Sequence, residues 1–421
     1  MKTLLYTASD GGFNLKDVPL GGAAPICNFL TEAWQSTGSF QFRLLSPQIL
    51  GSHAPRDQDL LRYTAKQYYQ FTLKFEQAAT AEILRHDPRE TVVLSNDMPD
   101  APAWPLLAEK GYPLYCISHM NMVHVLTHAL TRETIQPETA AAVYRSIHQS
   151  RFRRLLPGFL RLIFLKQEET LTYCRGIIVP SEGMKRRLLR MYSQAVPDKI
   201  HVVPWGTPPD TSDEPLIQAK ARELRRQHDL KDGMPVLMAL SRISVEKGQD
   251  RLLKALALWE MDPGFPASGA VVFICGTAGY RHAQAYEKNL IRHAQSLRKV
   301  RVIFPGYVYG VEKQAYFRLA NLYVFSSRME SYGLTLMEAF RAGLPAVAAW
   351  TDGTEQLLRK EFGELLPAAA ERDVPRLLRD AIKRMLADPE GLRMKGQKAQ
   401  AFAQGHPFSE TADRIARLVL D

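Results

Sequence analysis

Short unbroken apolar runs alternate along this chain with longer amphipathic stretches. The first series is TLLYTA (3–8), FRLLSP (42–47), TVVLSN (91–96), PLYCISH (113–119), GIIVPS (176–181) and IHVVPW (200–205). A second series follows: PVLMALSR (235–242), VVFICG (271–276), VRVIFPG (300–306), LYVFSS (322–327) and PAVAAW (345–350). Runs this short, without polar alternation and mostly closed by Ser, Gly, Asn or His, fit parallel strands covered on both faces. The stretches between them, such as SEGMKRRLLRMY (181–192) and GQDRLLKALALWE (248–260), fit helices, the first with Ser181 as its N-cap. Strand–helix alternation of this kind predicts a doubly wound α/β architecture.

The alternation breaks once, at PWGTPPDTSDEP (204–215), which is rich in Pro, Asp and Thr. A charged helical stretch follows, and then the second strand series begins. The pattern predicts two Rossmann-like parallel-sheet domains, 1–207 and 208–405, about a hinge near 205–215, with a C-terminal helix at 406–421 returning to the first. A substrate cleft is then expected between the facing strand C-termini. At 421 residues the chain is long for one hydrophobic core and comfortable for two.

Composition narrows the class. With 46% hydrophobic and 23% charged residues the chain is an ordinary globular protein, and nothing points to disorder or low complexity. The net charge of +10 favours anionic partners, whether nucleic acid, sugar nucleotide or an acidic membrane surface, without choosing among them. Cys27, Cys116, Cys174 and Cys275 lie far apart with no CxxC pair, which argues against a zinc or redox motif. Their scatter suits reduced thiols in a cytoplasm, Cys116 and Cys275 being small core residues of strands. The N-terminal MKTLLYTASDGG is too short in its apolar part for a signal peptide. The longest apolar run, LLPGFLRLIFL (155–165), is about half of a spanning helix and contains Pro157 and Arg161.

The candidate chemistry begins with SSRMESYGLTLMEAF (326–340). Glu330 falls in a short loop after an apolar strand, and Glu338 inside the helix that starts near Gly333. The helix N-terminal amides around Ser331, Tyr332, Gly333, Leu334 and Thr335 form a site for an anion, which the helix dipole favours. A carboxylate at its mouth can accept bonds from sugar hydroxyls, and a second, inward on the helix, can hold a ribose diol. A first-turn glutamate beside a solvated helix glutamate is the plain alternative, though the apolar neighbours of Glu338 disfavour a purely solvated role. In ALSRISVEKGQDRLLKAL (239–256), Arg242 ends the strand and Lys247 precedes Gly248 at the head of the next helix. Two cations at such a junction can clamp a diphosphate, arginine as a fork and lysine as a point charge. A pair of surface cations is the alternative.

Together these stretches resemble the retaining GT-B glycosyltransferases of family 4, the glycosyl transferases group 1. Arg242 through Gly248 resembles that family's Arg-x4-Lys-Gly motif, and Glu330 through Glu338 its E-x7-E motif with the aromatic–Gly pair Tyr332 and Gly333. PWGTP resembles its P-x-G element, and WTDGTEQLL (350–358) the element after the next strand. The likeness covers nearly the whole C-terminal half and the outline of the N-terminal half. The resemblance implies a GT-B fold and a nucleoside diphosphate sugar as donor substrate, with no separate cofactor. Arg242 and Lys247 would hold the diphosphate, Glu338 the ribose and Glu330 the transferred sugar. The backbone near Tyr307 and Val308 would lie beside the base, and His119 would face the donor sugar.

In the N-terminal half, Gly21 and Gly22 would let backbone approach the donor or acceptor closely, or else form a surface turn. Asn96 and Asp97 point towards the same cleft. His124 and His128 read as ordinary helix residues. The stretch YRSIHQSRFRRLLPGFLRLIFLKQ (144–167) mixes Arg with Phe, Leu and Ile, and no acidic residue occurs between Glu138 and Glu168. It is either an interfacial element against an anionic leaflet or a cationic helix packed on its own sheet. No GxxxxGK[ST] or HExxH occurs. DQD (57–59) has the letters of the metal-dependent GT-A motif but no strand before it, so no metal site is expected. The expected function is transfer of a sugar to an acceptor hydroxyl of a lipid-linked or growing saccharide, in the cytoplasm or at the inner membrane face. A sugar-nucleotide epimerase or small-molecule glycosyltransferase is the alternative on the same fold. A basic nucleic-acid-binding protein is the alternative of a different class, with no helix-turn-helix, zinc or RNP-like pattern behind it.

Overall fold

All eleven apolar runs are strands in the computed structural model, which describes residues 1–13, 22–56, 59–99, 101–131, 135–150, 152, 157–209, 213–278 and 283–421. In chain order they are β1 (Thr3–Thr7), β2 (Gln41–Leu45), β3 (Thr91–Ser95), β4 (Leu114–Ile117), β5 (Gly176–Val179), β6 (Ile200–Val202), β7 (Val236–Leu240), β8 (Ala270–Cys275), β9 (Val300–Gly306), β10 (Leu322–Phe325) and β11 (Ala346–Ala348). A twelfth, β12 (Gly363–Leu365), escaped the pattern because three residues reading GEL carry no periodicity. Gly21 and the Asp57–Gln58 part of DQD lie outside the described residues, as do Arg153 and Arg154.

The strands form two parallel sheets, ordered β2-β1-β3-β4-β5-β6 and β12-β11-β10-β7-β8-β9. Their burial follows position. Central strands such as β3, β8 and β10 are buried at every residue, as a parallel strand between two helix layers must be. The edge strands β2 and β9 are partly open. Pro305 is tolerated within β9 because an edge strand has one side with no ladder to complete.

Two units result. One is Met1–Trp205 with Ser409–Asp421, and the other is Gly206–Phe408. In the first, Leu5, Val93, Leu114, Ile177 and Leu188 pack around Trp104. The helix Phe408–Leu420 closes one side of it, where Trp34 Nε1 donates to Ala412 O at 3.1 Å. In the second, Leu237, Val272, Leu322 and Val324 pack against Leu252 and Leu378 of two flanking helices. All four cysteines are free and buried, with Cys116 on β4 and Cys275 on β8. No described helix is long and apolar enough to cross a membrane.

Strand order locates the places where a ligand can reach each sheet. In the second sheet the chain runs outward from β7 through β8 to β9, then returns to β10 on the other side of β7. The two connections leaving β7 and β10 therefore diverge to opposite faces and open a crevice at the strand C-termini. The same switch occurs between β1 and β3 in the first sheet.

Candidate active site

The β7 and β10 crevice brings together the residues singled out by spacing. Arg242 stands two residues beyond β7, and a 3₁₀ turn over Val245–Lys247 leads to Gly248 at the head of the helix Gln249–Glu260. Gly248 has φ of +66°, and a Cβ there would lie 2.1 Å from Ser326 O, so only glycine lets this turn lie against the loop after β10. Buried Gln249 fixes the strand end, donating from Nε2 to Ser241 Oγ at 2.9 Å and to Arg242 O at 2.8 Å.

Across the crevice, Lys247 Nζ is 2.6 Å from Glu330 Oε2, with under a fifth of either side chain exposed. Glu338, on the helix Leu334–Arg341, is paired at 2.6 Å with Lys313 of the helix Gly310–Leu319 and is 11% exposed. It is therefore not a solvated surface carboxylate. Arg242 lies 3.8 Å from Glu246. Gly333 is the N-cap of its helix, and the first-turn amides of Leu334 and Thr335 have no intrahelical acceptor. Ser331, Leu334 and Thr335 are half-buried, and Tyr332 is buried with its phenol pushed up by burial. Tyr307 is exposed on the rim after β9, whereas the Val308 side chain is buried.

A second layer of charge, with no signature in the local residue pattern, ties the two loops together. Arg328 donates through its backbone N–H to Glu246 O at 2.8 Å and through Nη1 to Val245 O at 2.7 Å. Its guanidinium also spans Asp250, at 2.8 and 2.9 Å, and reaches Glu371. Arg251, buried, holds Glu371 from the other side and donates to Ser327 O at 3.3 Å. Burial alone would raise the Asp250 carboxyl. The bonds and charge of Arg328, helped by the Tyr286 hydroxyl, outweigh it and hold the group well below the usual carboxylate range.

In the first unit, His119 stands two residues beyond β4, buried, with Nε2 3.0 Å from Asn96 Oδ1. Asn96 is saturated. Its Oδ1 also accepts from the Tyr6 hydroxyl, and its Nδ2 donates to Asp10 Oδ1 at 3.1 Å and Ala23 O at 3.3 Å. The carboxamide thus orients the histidine and has no valence left for a ligand, contrary to the expectation that it reaches into a cleft. Because a carboxamide oxygen only accepts, this network assigns the proton to Nε2 and leaves Nδ1 as an acceptor. Burial lowers the imidazole to about 3, only partly offset by Asn96, so the ring is neutral.

Asp97 turns back on its own loop, its Oδ1 accepting from Met98 N at 2.8 Å. His124 lies on the helix Met122–Thr131, which also carries His128. Gly22 is the N-cap of the helix Ala23–Gln35 with φ of −60°, and a Cβ there would meet nothing within 4 Å, so the fold itself does not require glycine. The turn that does follow β1 closely is Asp10-Gly11-Gly12, with Gly12 at φ of +76°. An acid and two glycines directly after an apolar run was the available signal.

Two α/β units, each a parallel sheet between helix layers, make up the GT-B fold. Over the full chain the fold matches sucrose-phosphate synthase from Thermosynechococcus elongatus, with a TM-score of 0.72 and 19% identity, covering 99% of this chain and 98% of that one. It also matches the HepE protein of Anabaena in complex with UDP-glucose, at a TM-score of 0.64, 18% identity and 99% coverage of both. The family model for Glycosyl transferases group 1 matches residues 220–402. Alpha-monoglucosyldiacylglycerol synthase of Streptococcus pneumoniae is 32% identical over 195 residues, 45% of this chain and 41% of that protein. The chain spans about half the length of the curated relatives it matches.

Proposed function

We propose that this chain is a retaining glycosyltransferase that moves a sugar from a nucleoside diphosphate sugar to an acceptor hydroxyl. The observation that carries the reading is the Lys247–Glu330 pair, 2.6 Å apart at the β7/β10 switch point, with Arg242 and Glu338 at the same edge. Arg242, Lys247 and the Leu334–Thr335 amides meet the diphosphate and the negative charge that grows on it as the glycosidic bond breaks. Lys313 holds Glu338 Oε1, which aims the other oxygen at a ribose diol. Glu330 contacts the transferred sugar while restraining Lys247. The leaving diphosphate takes the acceptor proton, and no glutamate serves as covalent nucleophile. His119, neutral with Nδ1 as acceptor, receives a bond from a sugar hydroxyl. Positive charge for the leaving group comes from side chains, so a metal is not required, and the sugar nucleotide is substrate rather than cofactor.

A lipid-linked or growing saccharide is the acceptor class. The name of the Streptococcus relative, a synthase of a glucosylated diacylglycerol, supports a lipid-linked one, as does the basic-apolar stretch 144–167. Within that stretch Phe152 is exposed, and Val143 and Ile135 are exposed nearby, which fits peripheral contact with an anionic membrane on its cytoplasmic face. Co-sedimentation with anionic vesicles that Phe152→Asp leaves unchanged would remove this contact. The catalytic reading is tested by Lys247→Ala and Glu330→Ala. Each should lose more than tenfold in kcat/KM with folding intact, and wild-type turnover in both would refute the site.

A further inference from the structure

The opposite edge of the second sheet holds a cavity of about 830 Å³ that the donor reading leaves unused. It is lined by Val236, Asn321 and Pro345, at the N-terminal ends of β7, β10 and β11, whereas the candidate active site lies at their C-terminal ends. A five-residue strand such as β7 separates the two by roughly 16 Å. Five cations face this cavity, Arg225, Lys231, Arg318, Arg341 and Arg393, against one acid, Glu214, which pairs with Arg318.

Helix capping explains part of this set. Arg225, Arg318 and Arg341 each lie in the last turn of a helix, where a cation offsets the dipole. Arg225 donates to Leu230 O, and Arg341 to Pro208 O. Capping does not explain Lys231, in the loop before β7, or Arg393, near the N-terminal end of the helix Pro389–Gln404, where the dipole opposes a cation. Asp232 and Glu390 approach Arg225 and Arg393 from the solvent side, where such pairs are screened and weak. A concave wall with this surplus focuses positive potential inward. Three glutamines of the helix Pro389–Gln404 complete the lining with amide donors and acceptors suited to hydroxyls.

We propose that this cavity binds a phosphate-bearing small molecule of sugar-phosphate type, its phosphate held by the guanidinium groups and its hydroxyls by the glutamine amides. The volume is that of a small-ligand site. The inference does not depend on the glycosyltransferase reading, and the test separates the two.

Hexose 6-phosphate, inorganic pyrophosphate and the neutral hexose are titrated calorimetrically at low salt. The proteins are the full chain, Lys247→Ala and the double variant Lys231→Glu/Arg393→Glu, each checked by circular dichroism. Hexose 6-phosphate should bind the full chain and Lys247→Ala alike, whereas pyrophosphate can also report on the diphosphate site at Lys247. Hexose 6-phosphate should bind at least tenfold more weakly to the double variant, and the neutral hexose should not bind. If the charge reversal unfolds the protein, Lys231→Gln/Arg393→Gln should show a smaller loss in the same direction. Hexose 6-phosphate affinity unchanged in the charge variants, hexose 6-phosphate affinity lost in Lys247→Ala, or no binding of hexose 6-phosphate would overturn the proposal.

Discussion

Arg328→Gln probes the strut under the two loops that carry Lys247 and Glu330. The guanidinium is 9% exposed and bonds Val245 O, both oxygens of Asp250 and Glu371. Hydrogen bonds to charged groups contribute roughly 1.5–3 kcal/mol each, but these share one guanidinium and do not add. Removing one partner of a buried pair costs about 3–5 kcal/mol. Two facts reduce that here: Asp250 keeps the Tyr286 hydroxyl at 2.7 Å, and Glu371 keeps Arg251 and is 40% exposed. A loss of about 3 kcal/mol remains, which for a unit of some 200 residues lowers its Tm by roughly 6–12 °C. The functional effect should be larger. Arg328 sets the height of the Val245–Lys247 turn, and a shift of about 1 Å there can cost on the order of 100-fold in rate. Arg328→Lys keeps a charge but not the fork, so it should fall between.

Asp250 supplies an independent signature of the same contact. Its carboxyl titrates lower folded than unfolded, so its contribution is present above the unfolded pKa of about 3.9 and disappears as pH falls below it. The stability gap between wild type and Arg328→Gln should therefore narrow below about pH 4. Differential scanning calorimetry with kcat/KM on a sugar nucleotide measures each part. Wild-type Tm and turnover in Arg328→Gln would refute the strut.

Other substitutions test the remaining geometry. His119 titrates near 3 folded and about 6.5 unfolded, so below about pH 6.5 the unfolded chain binds a proton the folded ring refuses. Stability should fall by up to about 1.4 kcal/mol per pH unit towards pH 3, and His119→Gln should flatten that slope in urea titrations at pH 7 and 5. Equal slopes would contradict the buried neutral histidine. Gly248→Ala places a Cβ 2.1 Å from Ser326 O at φ of +66° and should cost at least tenfold in kcat/KM, with activity near wild type counting against the loop contact. Lys313→Met unpairs Glu338 and should raise KM for the donor about tenfold while lowering kcat less, since ribose binding is common to ground and transition states.

Much of the fold was legible because a strand buried on both faces must be apolar throughout, as β3, β8 and β10 are. The Arg242–Lys247 and Glu330–Glu338 spacings were legible for a related reason. A strand, a tight loop and a helix start impose fixed intervals on the residues at a crevice. Contacts between distant segments left no such trace. Nothing local links Arg328 to Asp250, 78 residues earlier, or to Glu371, 43 residues later. Lys313 likewise lies 25 residues before Glu338. Asn96 could be placed at a strand end, but that all four of its hydrogen-bonding valences are taken emerges only once Tyr6, Asp10, Ala23 and His119 converge on it. The Gly21–Gly22 pair drew notice over Asp10-Gly11-Gly12, although the latter directly follows β1.

Nucleoside diphosphate release tests the central claim most directly. The pure chain, without added metal, is incubated with UDP-, GDP- and ADP-sugars, and Glu338→Ala serves as the control. Slow release from one donor, abolished in the variant, is the predicted result. No release from any donor, together with no calorimetric binding of any donor or diphosphate, would contradict it.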